Sequence, residues 1–391
     1  MLINAKKISN FGLVVFIWVC YLNVISLFTV NRLVPAHHLT IVILSVSTLT
    51  MLIGLRSTLS ITNQSVVSML IISLMIISTA SQVMFNAGLI DDKGVDVNFF
   101  LLSNTMFSII YFFLGVSLSY SSYSRKKYVL IFIVFMAPIF FLSTFYINGY
   151  TVSYGEIRAN GSDDSINHLS IGSYVVVICF FLFSLLERKK KFFPAIIILV
   201  YLFVLDGRGA LLATLLTLLF YSVLLFRSRC LLRFKMIFFV FLVIFISSVL
   251  TVAPFLSGDY KYEALNDSSL NARAYLMIEG MRIVPEAGVL GSVDSYVGHL
   301  GVTGAYIHNI LSAWQFYGPI TFLLLCVSAM RMFILSTHSL INGSKNEFFA
   351  LIAIYSVISL IMFKSIHLEL FWLSLGYWSF TKNRNSTSTT C

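Results

Sequence analysis

Apolar runs of about 20 residues, separated by short polar breaks, repeat along the whole chain. They cover approximately 11–30, 39–55, 66–85, 98–120, 128–147, 169–186, 193–205, 210–226, 236–256, 308–330, 347–363 and 368–380. An α-helix of that length just spans the hydrocarbon core of a bilayer, so the pattern predicts about 12 transmembrane helices. The runs at 193–205 and 368–380 are short for a full crossing and read as tilted, broken or partly inserted segments. The longest polar interruption, 257–307, falls between the ninth and tenth runs. Within it, 266–284 has a helical pattern with an N-cap among Asn266 to Ser269, a stop at Pro285, and Leu270, Ala274, Met277, Met281 and Val284 along one face. The expected fold is an all-α polytopic integral membrane protein. It is a single transmembrane domain over 1–391, with a long outer loop whose amphipathic helix lies on the membrane domain or in the interface.

Composition agrees with that pattern. The chain is 58% hydrophobic and 11% charged, with a mean hydropathy of +0.92, and a water-soluble core cannot hide that much apolar side chain. A net charge of +10 could point to nucleic acid, but the placement of the charges excludes that reading. With the N-terminus in the cytoplasm, the outer segments hold only Arg32, Lys93, Arg158, Arg208, Lys261, Arg273, Arg282 and Lys364 of the 26 Lys and Arg, and the inner segments hold the rest. Only Glu187 and Glu347 of the 16 acids fall inside. This bias places both termini in the cytoplasm and makes the surplus charge a signal of topology and of contact with anionic lipid. The first run follows Lys6 and Lys7 without a small-residue cleavage site and reads as a retained span. The five cysteines suggest neither a disulfide framework nor a metal site, and no cofactor motif is present.

The outer cations carry the candidate chemistry. Arg208 sits in the turn Asp206-Gly207-Arg208-Gly209-Ala210 between two apolar runs. An arginine beside hydrocarbon needs a counter-anion, either Asp206 stapling the turn or a bound phosphate that the glycines let approach. Arg273 and Arg282 are nine residues apart on the 266–284 helix, about 180° around its axis, so a straight helix aims only one of them at a given target. Glu279 is a ready partner for Arg282, which leaves Arg273 as the functional candidate unless the helix breaks at Gly280. Glycines at 288, 291, 298, 301 and 304 make the following segment suited to close backbone approach. His308 and Asn309 then open the tenth run, where the helix N-terminus favours an anion and a neutral imidazole; the alternative is an interfacial residue beside Trp314 and Tyr317. Arg158, flanked by Glu156, Asp163 and Asp164, reads as ion-paired in a solvated loop or as a secondary substrate contact. Lys364, His367 and Glu369 either line the same cavity or form an interfacial pair. No nucleophile with a dedicated base stands out, so a reaction here would need an activated substrate.

These elements, in this order, resemble the O-antigen polymerase and ligase superfamily: many spans, then Arg208-Gly209-Ala210, Arg273 in a long outer loop, Gly288 through Gly291, and His308-Asn309 followed by Gly318. The resemblance covers roughly the second half of the chain and departs at Asp206-Gly207, where related sequences often have serine. It implies metal-independent glycosyl transfer from a polyprenyl-diphosphate-linked oligosaccharide at the outer, periplasmic face of the bacterial inner membrane. Arg208 and Arg273 would meet the diphosphate, and His308 would act as general base. Arg282, Arg158, Asn309, Lys364 and His367 would be substrate-binding candidates. The implied partners are the lipid-linked substrate, membrane lipid and a chain-length regulator protein. A Wzy-type polymerase is the expected activity. The alternatives are the ligase that moves finished glycan to lipid A core, and a flippase or transporter of the same lipid-linked sugar.

Overall fold

The computed structural model describes residues 13–17, 20, 63–85, 88–92, 94–119, 168–187, 191–204, 208–226, 268–301, 307–342, 346–362 and 364–381. In chain order the helices are α1 (Asn63–Phe85), α2 (Val97–Leu118), α3 (His168–Leu185), α4 (Phe192–Val204), α5 (Arg208–Phe226), α6 (Ser268–Ile283), α7 (Val293–Leu300), α8 (Ser312–Ile341), α9 (Glu347–Met362) and α10 (Glu369–Phe380). The described residues are all-helical, without β-strands. Among them three helices, α1, α2 and α8, are long and apolar enough to cross a membrane. The expected runs at 39–55, 128–147 and 236–256 lie outside the described residues, as does most of 11–30. The short runs expected at 193–205 and 368–380 are short helices, α4 and α10.

The bundle has an apolar core, and its long helices also present apolar side chains outward. Val66, Leu70 and Ile77 on α1, Phe99 and Met106 on α2, and Leu323, Val327 and Ile334 on α8 are exposed. Ser65, Ser68, Ser78, Thr79 and Gln82 of α1 are buried. In hydrocarbon the apolar effect gives no preference for the interior, so small polar side chains and close backbone packing join the helices. Ser68 and Ser379 share a hydrogen bond of 2.7 Å, and Thr79, Thr105 and Tyr317 form a hydroxyl chain with 2.9 Å links. The most extensive contact among the described helices is α2 on α10. Gly115 lies against the Leu373 carbonyl and Gly376 against the Phe112 carbonyl, so a side chain at either glycine would collide with the partner's backbone.

At one end of the bundle, Lys191 at the start of α4 is buried and ion-paired with Glu347 at the start of α9. The Tyr221 hydroxyl of α5 donates to the same carboxylate at 2.7 Å and accepts from Lys191 Nζ at 3.3 Å, and the ammonium stands 4.9 Å from the Phe183 ring centre. The connections 88–96, 288–301, 307–312 and 364–368 meet at the opposite end. Asp92 N–H donates to Gly301 O at 2.8 Å, Ser292 N–H to Gln315 O at 2.9 Å, and Ile366 N–H to Ser312 Oγ at 2.8 Å.

Candidate functional site

α8 decides the geometry of this end, because it is broken. Gly318 has φ 86° and ψ 169°, a conformation open to glycine, and Pro319 follows it. A proline has no N–H, so the carbonyl four residues earlier, on Gln315, loses its helical donor; the kink also frees the carbonyl of Phe316. Both are satisfied from outside the helix. Ser292 N–H bonds Gln315 O, and the Gln82 amide of α1 donates to Phe316 O at 2.7 Å. The glycine-rich segment reaches the break because Gly291 lies flat on the Phe316–Tyr317 peptide while Gly318 faces the Val289 carbonyl. The close approach expected of the glycine run therefore occurs, with this chain's own backbone as the partner.

The helix also starts later than expected. His308 does not open it: α8 begins at Ser312, and His308 and Asn309 form the turn before it. Asn309 makes that turn by accepting from Leu311 N–H at 2.8 Å through Oδ1, and its carbonyl accepts from Ser312 Oγ at 2.7 Å. Ser312 Oγ in turn accepts from Ile366 N–H, and the Trp372 indole donates to Ile366 O at 2.7 Å, so the 307–312 and 364–368 turns are fixed to each other. His308 and Asn309 are half-buried.

α6 runs unbroken through Gly280, so Arg273 and Arg282 stay on opposite sides of it. Arg282 is exposed and its Nε donates to Glu279 at 3.1 Å, the expected pairing. Of the expected apolar face, Val284 is buried against the bundle and Met277 and Met281 are exposed. Tyr275 and Ile278 are exposed with them, whereas Gly280 and Ile283 face inward with Val284. The reason is Gly280: without a Cβ, the helix can settle on Ile307, directly before His308. The α-helix ends at Ile283, just before Pro285 as expected, and a 3₁₀ turn follows over Val284–Ala287. Asn309 Nδ2 lies 4.0 Å from Met277 Sδ, so α6, with Arg273 in its second turn, lies over the His308–Asn309 turn.

His367 is enclosed. Its imidazole stands edge-on to Phe316, with ring centres 4.4 Å apart, and to Phe100 and Tyr317 at 6.4 and 6.1 Å, with both ring nitrogens shielded from solvent. Desolvation lowers its pKa to about 3. His367 thus packs against three aromatic rings of α2 and α8. Lys364 is half-buried in the same connection, and its N–H donates to Ser359 O at 2.8 Å. Arg208 opens α5, away from the 307–312 turn in the chain, and Arg158 and Asp206-Gly207 lie outside the described residues. Among the described residues, no three His, Cys, Asp or Glu side chains are grouped as a metal site.

The groups that build this end were mostly absent from the sequence expectations: Ser78, Gln82, Gln315 and Ser312. One signal was readable, the Gly318-Pro319 pair inside an apolar run, which foretells a broken helix needing outside donors. No protein-family model, curated protein or solved structure matches the chain.

Proposed function

We propose that this chain is an O-antigen polymerase of the Wzy type, which transfers a growing glycan from its polyprenyl diphosphate to a hydroxyl of an incoming lipid-linked repeat unit. The observation that carries the reading is the convergence at one end of an apolar bundle. α6 with Arg273, the His308–Asn309 turn and the glycine-rich segment come together there. A charged donor and a hydroxyl acceptor, both anchored in lipid, need such a place at the membrane boundary.

In this reading His308 takes the proton of the acceptor hydroxyl. That oxygen bonds to the anomeric carbon, and the bond from this carbon to the diphosphate oxygen breaks. The diphosphate leaves with its charge met by Arg208 and Arg273. The reaction faces the periplasm of a bacterial inner membrane, with both termini in the cytoplasm.

The test is a deletion strain complemented with Arg208→Ala, Arg273→Ala or His308→Ala, with protein levels matched and lipopolysaccharide resolved on a gel. Loss of a polymerase leaves a single repeat unit on the core, and loss of a ligase leaves none. A full ladder from all three variants would overturn the assignment of these residues.

A further inference from the structure

We infer that Gln82 is a positioning residue: its one amide clamps the glycine-rich segment and the break in α8 into a single block behind the His308–Asn309 turn. The inference rests on reading that turn as the reacting centre. Gln82 is 6% exposed, and its side chain uses both ends. Nε2 has two hydrogens for three acceptors around it, Phe316 O at 2.7 Å, Ser78 Oγ at 2.9 Å and Leu290 O at 3.2 Å, while Oε1 accepts from Val293 N–H at 2.8 Å. Ser78, one turn earlier on the same face, has one hydroxyl hydrogen shared between the Leu290 and Phe316 carbonyls. Three stretches far apart in sequence thereby meet at one polar point: α1, the 290–293 segment and the end of the first turns of α8.

The chemistry demands an amide at this length. Two carbonyls need donors, and one N–H, the first of α7, needs an acceptor. A carboxylate would face the carbonyls with like partial charge, an apolar side chain would leave Val293 N–H unmet and the two carbonyls sharing the single Ser78 hydrogen, and asparagine is one methylene short. In the low-dielectric interior the unmet groups are costly, so the clamp is stiff while it is complete. What it holds is close to the candidate chemistry. Gln315, whose carbonyl bonds Ser292, also accepts from Ile307 N–H through Oε1 at 3.2 Å, one residue before His308. Gln315 thus links the 290–293 segment to the backbone one residue before His308.

The test compares the wild-type full chain with Gln82→Met and Ser78→Ala in lipid nanodiscs by backbone hydrogen exchange, with glycan ladders from complemented strains. Gln82→Met keeps the packing volume and removes every hydrogen bond. The expected result is exchange at least about ten-fold faster in peptides covering 290–300 and 307–317, with α2, α9 and α10 unchanged, a smaller rise from Ser78→Ala in the same peptides, and shortened or missing ladders. Unchanged exchange in those peptides for either variant overturns the clamp. Should Gln82→Met unfold generally, Ser78→Ala decides: a local rise supports the clamp, and its absence overturns it. Faster local exchange with a wild-type ladder overturns the positioning role. If Arg208→Ala, Arg273→Ala and His308→Ala all give full ladders, the functional reading fails while the exchange result still stands by itself.

Discussion

His367 lies among Phe100, Phe316 and Tyr317 with its nitrogens out of reach of water, and this enclosure keeps the ring neutral well below the usual histidine range. The consequence for stability has a definite sign. Between pH 6.5 and about 3 the unfolded chain binds a proton at this histidine that the folded chain refuses, so stability falls as pH falls through that window. The loss is at most about 1.4 kcal/mol per pH unit. His367→Phe keeps an aromatic ring in the box and removes the titration. Its thermal midpoint in detergent should decline less steeply than wild type between pH 6.5 and 4, and equal slopes would show that acid acts elsewhere. In sequence, a histidine in a turn between Lys364 and Glu369 reads as polar and accessible. Its enclosure comes from residues on two other helices, which no local pattern reports.

The α2–α10 crossing shows how helix contact is achieved where water offers no driving force. Gly115 and Gly376 each meet a partner carbonyl directly, so the backbones touch and dispersion and weak C–H···O contacts join them. Gly115→Ala and Gly376→Ala should each cost about 1–3 kcal/mol, read as a lowered thermal midpoint of the purified protein. Gly298→Ala in α7 is the control. Nothing lies within 4 Å of the position its new methyl group would take, so the substitution should be neutral or mildly stabilising. An equal loss at all three would mean that glycine content, and not the crossing, matters. Helix positions were legible from apolar runs of bilayer length, and α3, α4, α5, α9 and α10 match them closely. Which faces pair was harder to read, because Ser68, Ser78, Thr79 and Gln82 share one helix face but Ser73 and Ser81 put further polar groups on the others.

Across the molecule, one buried ion pair ties three helices together at one end of the bundle. Lys191 and Glu347, both assigned to inner segments, form a buried pair. α9 then carries the chain through 16 residues, about 24 Å at helical rise, to the end where Lys364 and the His308 turn stand. The pair joins α4, α5 and α9 through Tyr221. Lys191→Met leaves Glu347 a nearly buried carboxylate with one hydroxyl donor and should cost about 3–5 kcal/mol. The double change Lys191→Met with Glu347→Leu should recover most of that in thermal unfolding, and a double variant as weak as the single would show that packing, not charge, holds this end. The candidate site was half legible for the same reason that this pair was. Charges and glycines stand out against apolar runs, but uncharged amides and hydroxyls that tie the turns together, Gln82, Gln315 and Ser312, do not.

The glycine crossing also sets a clock. Gly115 and Gly376 are about 260 residues apart, so at a synthesis rate of roughly 5–20 residues per second α2 enters the bilayer some 13–50 s before its main partner exists. During that interval the flat face around Gly115 is open to any helix that can approach as closely. Correct assembly then depends on the α2 face staying vacant until α10 arrives, which makes biogenesis, as much as the finished fold, the stage at which a bulkier residue at either glycine would do harm.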